Sequence, residues 1–136
     1  MPVRQTFRSF VDTLEAVTVT GVERHFTQGP PASLQDAMLP AKWVQLPRAT
    51  EGALVFGEHG GRQTLTADIV IAVVSTVQNL QGANYDNTID LMDNLMTALM
   101  AMGLCGIKSK WTINIRQTVV TVAGFDYWAI ICTVEG

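Results

Sequence analysis

Apolar residues at Tyr85, Ile89, Met92, Leu95, Met96, Leu99 and Met102 recur at three- and four-residue intervals, which puts them on one stripe of an α-helix. The spacing predicts a helix over Asn84–Gly103. Asn84 is its expected N-cap, Asp86 lies in the first turn against the positive end of the helix dipole, and Gly103 supplies a left-handed C′ residue. Leu91 and Met100 widen the stripe beyond what a helix lying half in water carries, so a broad apolar surface has to cover it. The strand-like segments on either side, Ala67–Val77 and Trp111–Val134, are the expected cover.

Near the N-terminus, Val3, Phe7, Phe10, Val11 and Leu14 follow helical spacing with Arg4, Arg8, Asp12 and Glu15 opposite, which predicts an amphipathic helix over Val3–Ala16. Thr18–Phe26 changes to β-branched residues in rough alternation and reads as a strand that Gly21 weakens or bulges. Thr27–Thr50 differs in character. It holds Pro30, Pro31, Pro40 and Pro47, a helical turn started by Ser33 at Ser33–Asp36, and a short extended piece, Lys42–Leu46, carrying Trp43. Connections of this length inside a compact domain tend to be functional, and Trp43 fits either a core or an interface position.

Ala53–Phe56 and Arg62–Val77 read as two strands joined by Gly57-Glu58-His59-Gly60-Gly61, whose glycines accept the positive φ of a hairpin loop. The second strand is apolar on both sides, with Ala67, Ile69, Ile71, Val73 and Val77 on one face and Val70, Ala72 and Val74 on the other. A strand with one wet face would alternate apolar and polar, so both faces need cover. A helix pair covers one; another copy of the chain is a source for the other. Thr76–Ala83 is a polar linker. Lys110–Arg116 then alternates with Trp111, Ile113 and Ile115 on one side, Thr118–Val122 continues as strand, and Gly124 breaks it. Tyr127–Val134 closes the chain with Trp128, Ile130, Cys132 and Val134 on a shared face. The expected fold is α+β: a single domain over residues 1–136, with a mainly antiparallel sheet of about four to six strands and two helices, Val3–Ala16 and Tyr85–Met102, packed on one face. Phe7, Phe10, Leu14, Ile71, Val73, Leu95, Leu99, Ile113 and Ile130 are its expected core.

Composition narrows the function classes. A chain of 136 residues, 48% apolar and 15% charged, can bury a core and is not a disordered protein. The net charge of −3 with scattered Lys and Arg argues against a specific nucleic-acid contact. Cys105 and Cys132 lack metal-ligand spacing and read as reduced core residues rather than a disulfide. The amino terminus mixes Asp12 and Glu15 into its apolar pattern, unlike a signal peptide. The longest apolar run, Ile69–Val74, falls far short of the roughly 20 residues of a membrane span. The expected setting is the cytosol or a particle assembled there, with no membrane partner.

No catalytic, cofactor-binding or metal-ligating constellation emerges. His25 and His59, the two histidines, lack a second ligand in a recognisable spacing. Gly60-Gly61 lies between strands, not between the strand and helix of a phosphate loop, and Ser9, Ser33, Ser75 and Ser109 lack a nucleophile elbow. Asp86, Asp90 and Asp93 share a helix side that reads as a solvated stripe, and Met92, Met96, Met100 and Met102 read as adaptable core filling.

Three stretches carry a resemblance: GEHGGRQTLTADIVIAVV, NYDNTIDLMDNLMTALMAMG and DYWAIICTVEG, set in the order helix, strand, Pro-rich connection, Gly-tipped hairpin, linker, long helix and closing strand pair. In this order and at this length the chain resembles the tail-terminator and related tail-completion, head–tail joining proteins of long-tailed bacteriophages. The resemblance implies a non-enzymatic virion protein with a sheet backed by helices, assembled as a six-membered ring that caps the tail tube at the tail–head junction after assembly in the host cytoplasm. Its implied partners are further copies of itself, the tail-tube protein and the head–tail connector. On that reading the Gly57–Arg62 hairpin or the Thr27–Thr50 connection reaches onto a neighbour, and Trp43, Glu58, His59 and Arg62 are the expected subunit-interface residues. The competing expectation is a small soluble enzyme or ligand-binding domain with a pocket between the Pro-rich loop and the sheet, using His59, Asp68 or Tyr127.

Overall fold

The computed structural model describes residues 6–51, 63–103 and 112–136. Helix α1 spans Phe7–Glu15 and α2 spans Ala83–Ala101; the strands are β1 Arg24–His25, β2 Ala41–Val44, β3 Arg48–Glu51, β4 Gln63–Ser75, β5 Thr112–Val122 and β6 Phe125–Glu135. They form one sheet in the order β1-β2-β4-β6-β5, with β3 also on β4, and every pairing except β1 with β2 is antiparallel. This is the expected α+β class. The first strand is much shorter than Thr18–Phe26. Val17 and Val19 are buried, and Gly21 turns the chain with φ +93°, where a Cβ would stand 3.2 Å from Leu91 Cδ2. Glycine is required there by backbone conformation and by the close approach to α2, and a strand cannot pass through it.

The sheet is apolar on two faces, and the chain covers both. On the first face Ile69, Ile71, Val73, Ile130, Cys132 and Val134 meet Phe10 and Leu14 of α1, Val17 and Val19, and Leu91, Leu95 and Leu99 of α2. On the second face Ala41, Trp43, Val70, Ala72, Tyr127 and Ala129 lie under Phe26, Leu34, Met38 and Leu39. The Tyr127 hydroxyl donates to Leu34 O at 3.3 Å, tying that cover down. The Pro-rich connection is therefore the second layer, not an arm with too little internal use, and no second copy is needed over this part of the sheet. It also supplies strands. The Ala41↔Ala72 register of β2 shifts by one residue to the Arg48↔Thr66 register of β3 across Gln45–Pro47, where Pro47 has no N–H to offer β4. The helical turn falls at Asp36–Met38, after Ser33–Asp36.

Helix α1 starts at Thr6, whose Oγ1 accepts from Ser9 N at 3.1 Å while Thr6 N donates to Ser9 Oγ at 3.0 Å, a reciprocal cap. In α2 the N-cap is Gly82, not Asn84; the Asn84 side chain donates to Asn79 O at 2.9 Å and holds the linker against the first turn. Gly103 is left-handed, φ +71°, as expected. The buried line of α2 is Thr88, Leu91, Leu95 and Leu99, whereas Tyr85, Ile89, Met96 and Met102, assigned to the buried stripe by spacing, are 54%, 40%, 39% and 41% exposed. Phe7 is half exposed and Ile113 half buried; the other expected core residues are buried. The closing hairpin turns on Ala123 and Gly124, both at positive φ, which is a type I′ loop. Val3, Ala53–Phe56, the Gly57–Arg62 hairpin, Cys105 and Trp111 lie outside the described residues.

Candidate functional site

Along the outer side of α1 runs a groove of about 670 Å³, walled by Phe7, Val11 and Glu15 of the helix, by Pro30, and by Val44–Pro47 between β2 and β3. Its walls are mainly apolar. Arg8, which stands 3.9 Å from Asp12, and Glu15 place one positive and one negative charge at its rim. Leu46 projects at 89% exposure. Nothing in the pattern of Lys42–Leu46 marks this groove, because it exists only where the β2–β3 irregularity meets the half-buried helix.

Beneath α1 lies the chain's least expected polar group. Lys42 is 1% exposed, and its Nζ donates to Leu14 O at 3.1 Å. A cation there meets the negative end of the α1 dipole and a carbonyl of its last turn. Burial pushes the Lys42 ammonium down to about 8, against the opposing pull of Glu15. Close by, His25 Nε2 accepts from Val19 N at 3.1 Å, which requires that nitrogen to be unprotonated. Burial and then the Lys42 charge lower the His25 pKa, in the same sense as the hydrogen bond. Both groups are engaged with backbone, Lys42 closing a helix and His25 holding the turn that follows it. Neither lines the groove.

A second polar group crosses the exposed end of the second face. Asp68 accepts from Thr133 Oγ1 at 2.7 Å and lies 3.6 Å from Arg48, and Arg116 Nη1 is 3.5 Å from Thr133 Oγ1. This row ties β3, β4, β6 and β5 together above the polar half of the sheet. Asp68 and Tyr127 are not brought into one pocket: Tyr127 pairs with Ser75, seven residues along β4 and so about 23 Å from Asp68.

Of the expected interface residues, Trp43 is 1% exposed and packs in the second core, so core, not interface, is its place; its Nε1 has no hydrogen-bond partner among the described residues. Glu58, His59 and Arg62 lie outside the described residues. Asp86, Asp90 and Asp93 are exposed on α2. Among the described residues no group of three or more His, Cys, Asp or Glu could hold a metal ion, and no helix is long and apolar enough to cross a membrane. Neither a family model nor a curated protein matches the chain. The geometry therefore has to carry the reading. It supplies apolar surface on two flanks. Phe7 and Leu46 are exposed beside the groove, and Tyr85, Ile89 and Met100 are 54%, 40% and 57% exposed on α2.

Proposed function

We propose that the chain is a structural virion subunit, a tail terminator whose ring caps the tail tube and joins it to the head connector. The observation that carries this reading is the pair of exposed apolar flanks on an α+β subunit whose helices back one face of its sheet. Exposed patches of large apolar side chains mark surfaces that meet other proteins. Two different patches on one subunit suit a head-to-tail contact, which closes into a ring when the rotation between neighbours permits. With the second sheet face covered by the Pro-rich connection, the exposed flanks, and not that connection, fall to neighbours on this reading.

The test is tail-tube protein polymerised with and without this chain, imaged by electron microscopy. Tubes of arrested length bearing a ring at one end are expected. The variants Leu46→Asp and Ile89→Asp, folded by circular dichroism, should lose the arrest. Tubes that grow to the same lengths with folded parent protein present would exclude the terminator role. The α1 groove favours the alternative of a small ligand-binding domain. Under that reading Val11→Asp abolishes ligand-induced thermal stabilisation, while tube length is indifferent to the chain.

A further inference from the structure

The geometry points to β5 as a strand that pairs with β5 of a second copy across a twofold axis, extending the sheet continuously through both. Strand β5 is the last in the sheet order and pairs with β6 alone among the described residues. Its register with β6 runs unbroken from Thr112↔Glu135 to Val122↔Phe125, without a bulge. Natural edge strands are blunted by bulges, prolines, lysines or shortness. Here the strand TINIRQTVVTV is 11 residues long and carries none of these, with Arg116 its one charge. An edge of this kind is a template for another strand.

The hydrogen-bond phase says which strand fits. In a two-residue type I′ hairpin the residues flanking the loop form the first closely bonded pair, here Val122 with Phe125, and bonded pairs alternate from there. The even-numbered residues of β5 thus spend their N–H and C=O on β6. Ile113, Ile115, Gln117, Val119 and Thr121 direct theirs outward. Two such edges match in antiparallel sense when odd residues oppose odd residues, which any residue on the twofold axis gives, and Gln117, the centre of Thr112–Val122, gives the greatest overlap. Ile115 then meets Val119, Ile113 meets Thr121, and Gln117 meets itself. A register centred on Arg116 satisfies the same phase but sets two guanidiniums opposite each other in a non-hydrogen-bonded pair, where side chains approach most closely; with Gln117 on the axis Arg116 faces Thr118 instead, so no like charges meet.

The side chains agree. The outward-bonding residues lie on the first face, where Ile113 and Ile115 are only partly buried and Val119 is 45% exposed. Asn94 donates to Thr20 O at 2.8 Å, which fixes the segment after α1 on one flank of α2. Tyr85 and Ile89 stand on the opposite flank by helical spacing, toward β5, because α1 lies over β2 and β4. A second sheet continuing from β5 runs beneath that flank and removes exposed apolar surface from water. The pairing does not rest on the ring proposed above, since a twofold contact closes on itself and cannot generate one.

Purified protein without tube protein is the test. Sedimentation equilibrium should give twice the chain mass for the parent. Gln117→Pro removes an outward amide and leaves the bonds to β6 intact, so it should halve the mass while circular dichroism is unchanged. A Gln117→Lys variant serves if the proline variant misfolds, with the same expected loss. Gln117→Cys places two thiols across the axis at a Cα separation of about 5.5 Å, within disulfide range. Mild oxidation should then link it several-fold more than Thr121→Cys. A parent that stays monomeric at every concentration, a folded position-117 variant that keeps the parent mass, or equal linking of the two cysteine variants would each overturn the pairing.

Discussion

Replacing Lys42 by Met tests the physics of the α1 end. In the fold the ammonium is buried and titrates at about 8, against 10.5 when free. The folded pKa is depressed, so the unfolded chain binds more protons between these values and stability rises with pH through that window. The gain is complete above 10.5 and is lost as pH falls through 8. A shift of this size corresponds to about 3 kcal/mol in full, of which about 2–3 kcal/mol develops between pH 7 and 10. Against this, the bond to Leu14 O contributes about 1.5–3 kcal/mol, and its loss is softened because Val17 N also reaches Leu14 O at 3.2 Å. Met fills the same apolar stem volume without the ammonium. At pH 7 the Lys42→Met protein should therefore lie within about 2 kcal/mol of the parent, because charge burial and the helix-closing bond nearly cancel. At pH 10 the parent should have gained about 2–3 kcal/mol on the variant. Guanidinium unfolding of both proteins at both pH values measures this difference of differences, in which titrating groups not coupled to Lys42 cancel. Parallel pH dependence in parent and variant would mean that Lys42 reaches water, and the reasoning about α1 would fall.

Three further outcomes follow from the same contacts. Leu95→Ala, at a site with no exposure between α2 and the sheet, should destabilise by about 2–5 kcal/mol in chemical unfolding. Gly21→Ala combines a positive φ with a Cβ that crowds Leu91, and a loss of about 1–3 kcal/mol is expected by thermal melting; a neutral result would show that the segment after α1 does not pack on α2. His25 has a lowered folded pKa, so its contribution is present above pH 6.5 and is lost as pH falls through the folded value. His25→Gln keeps an acceptor for Val19 N without titrating, and its stability should fall less than the parent's between pH 7 and 5.

Local pattern was enough for whatever depends on period and turn chemistry. The alternation of Ile113 and Ile115 with polar neighbours, the break at Gly124 and the shared face of Ile130, Cys132 and Val134 return as β5, the type I′ turn and β6. The 3.6-residue period likewise placed α1, α2 and the left-handed Gly103. Where the pattern admitted two answers, packing chose. Helix α2 has two apolar lines, and its rotation was settled by Gly21 lying against Leu91 and by Asn94 bonding to Thr20, contacts from 70 or more residues away. The doubly apolar strand Ala67–Val77 announced a need for cover without naming its source. The cover is Leu34, Met38 and Leu39, apolar residues that follow no sustained helical or strand period in a stretch broken by prolines and a 3₁₀ turn. Lys42 stood in the wrong company for burial by type. Strand alternation puts it on the face opposite Trp43, and that face turned out to lie against the carbonyl end of α1, where a charged amine has a partner. Such placements depend on which distant segments meet, and no local period encodes that.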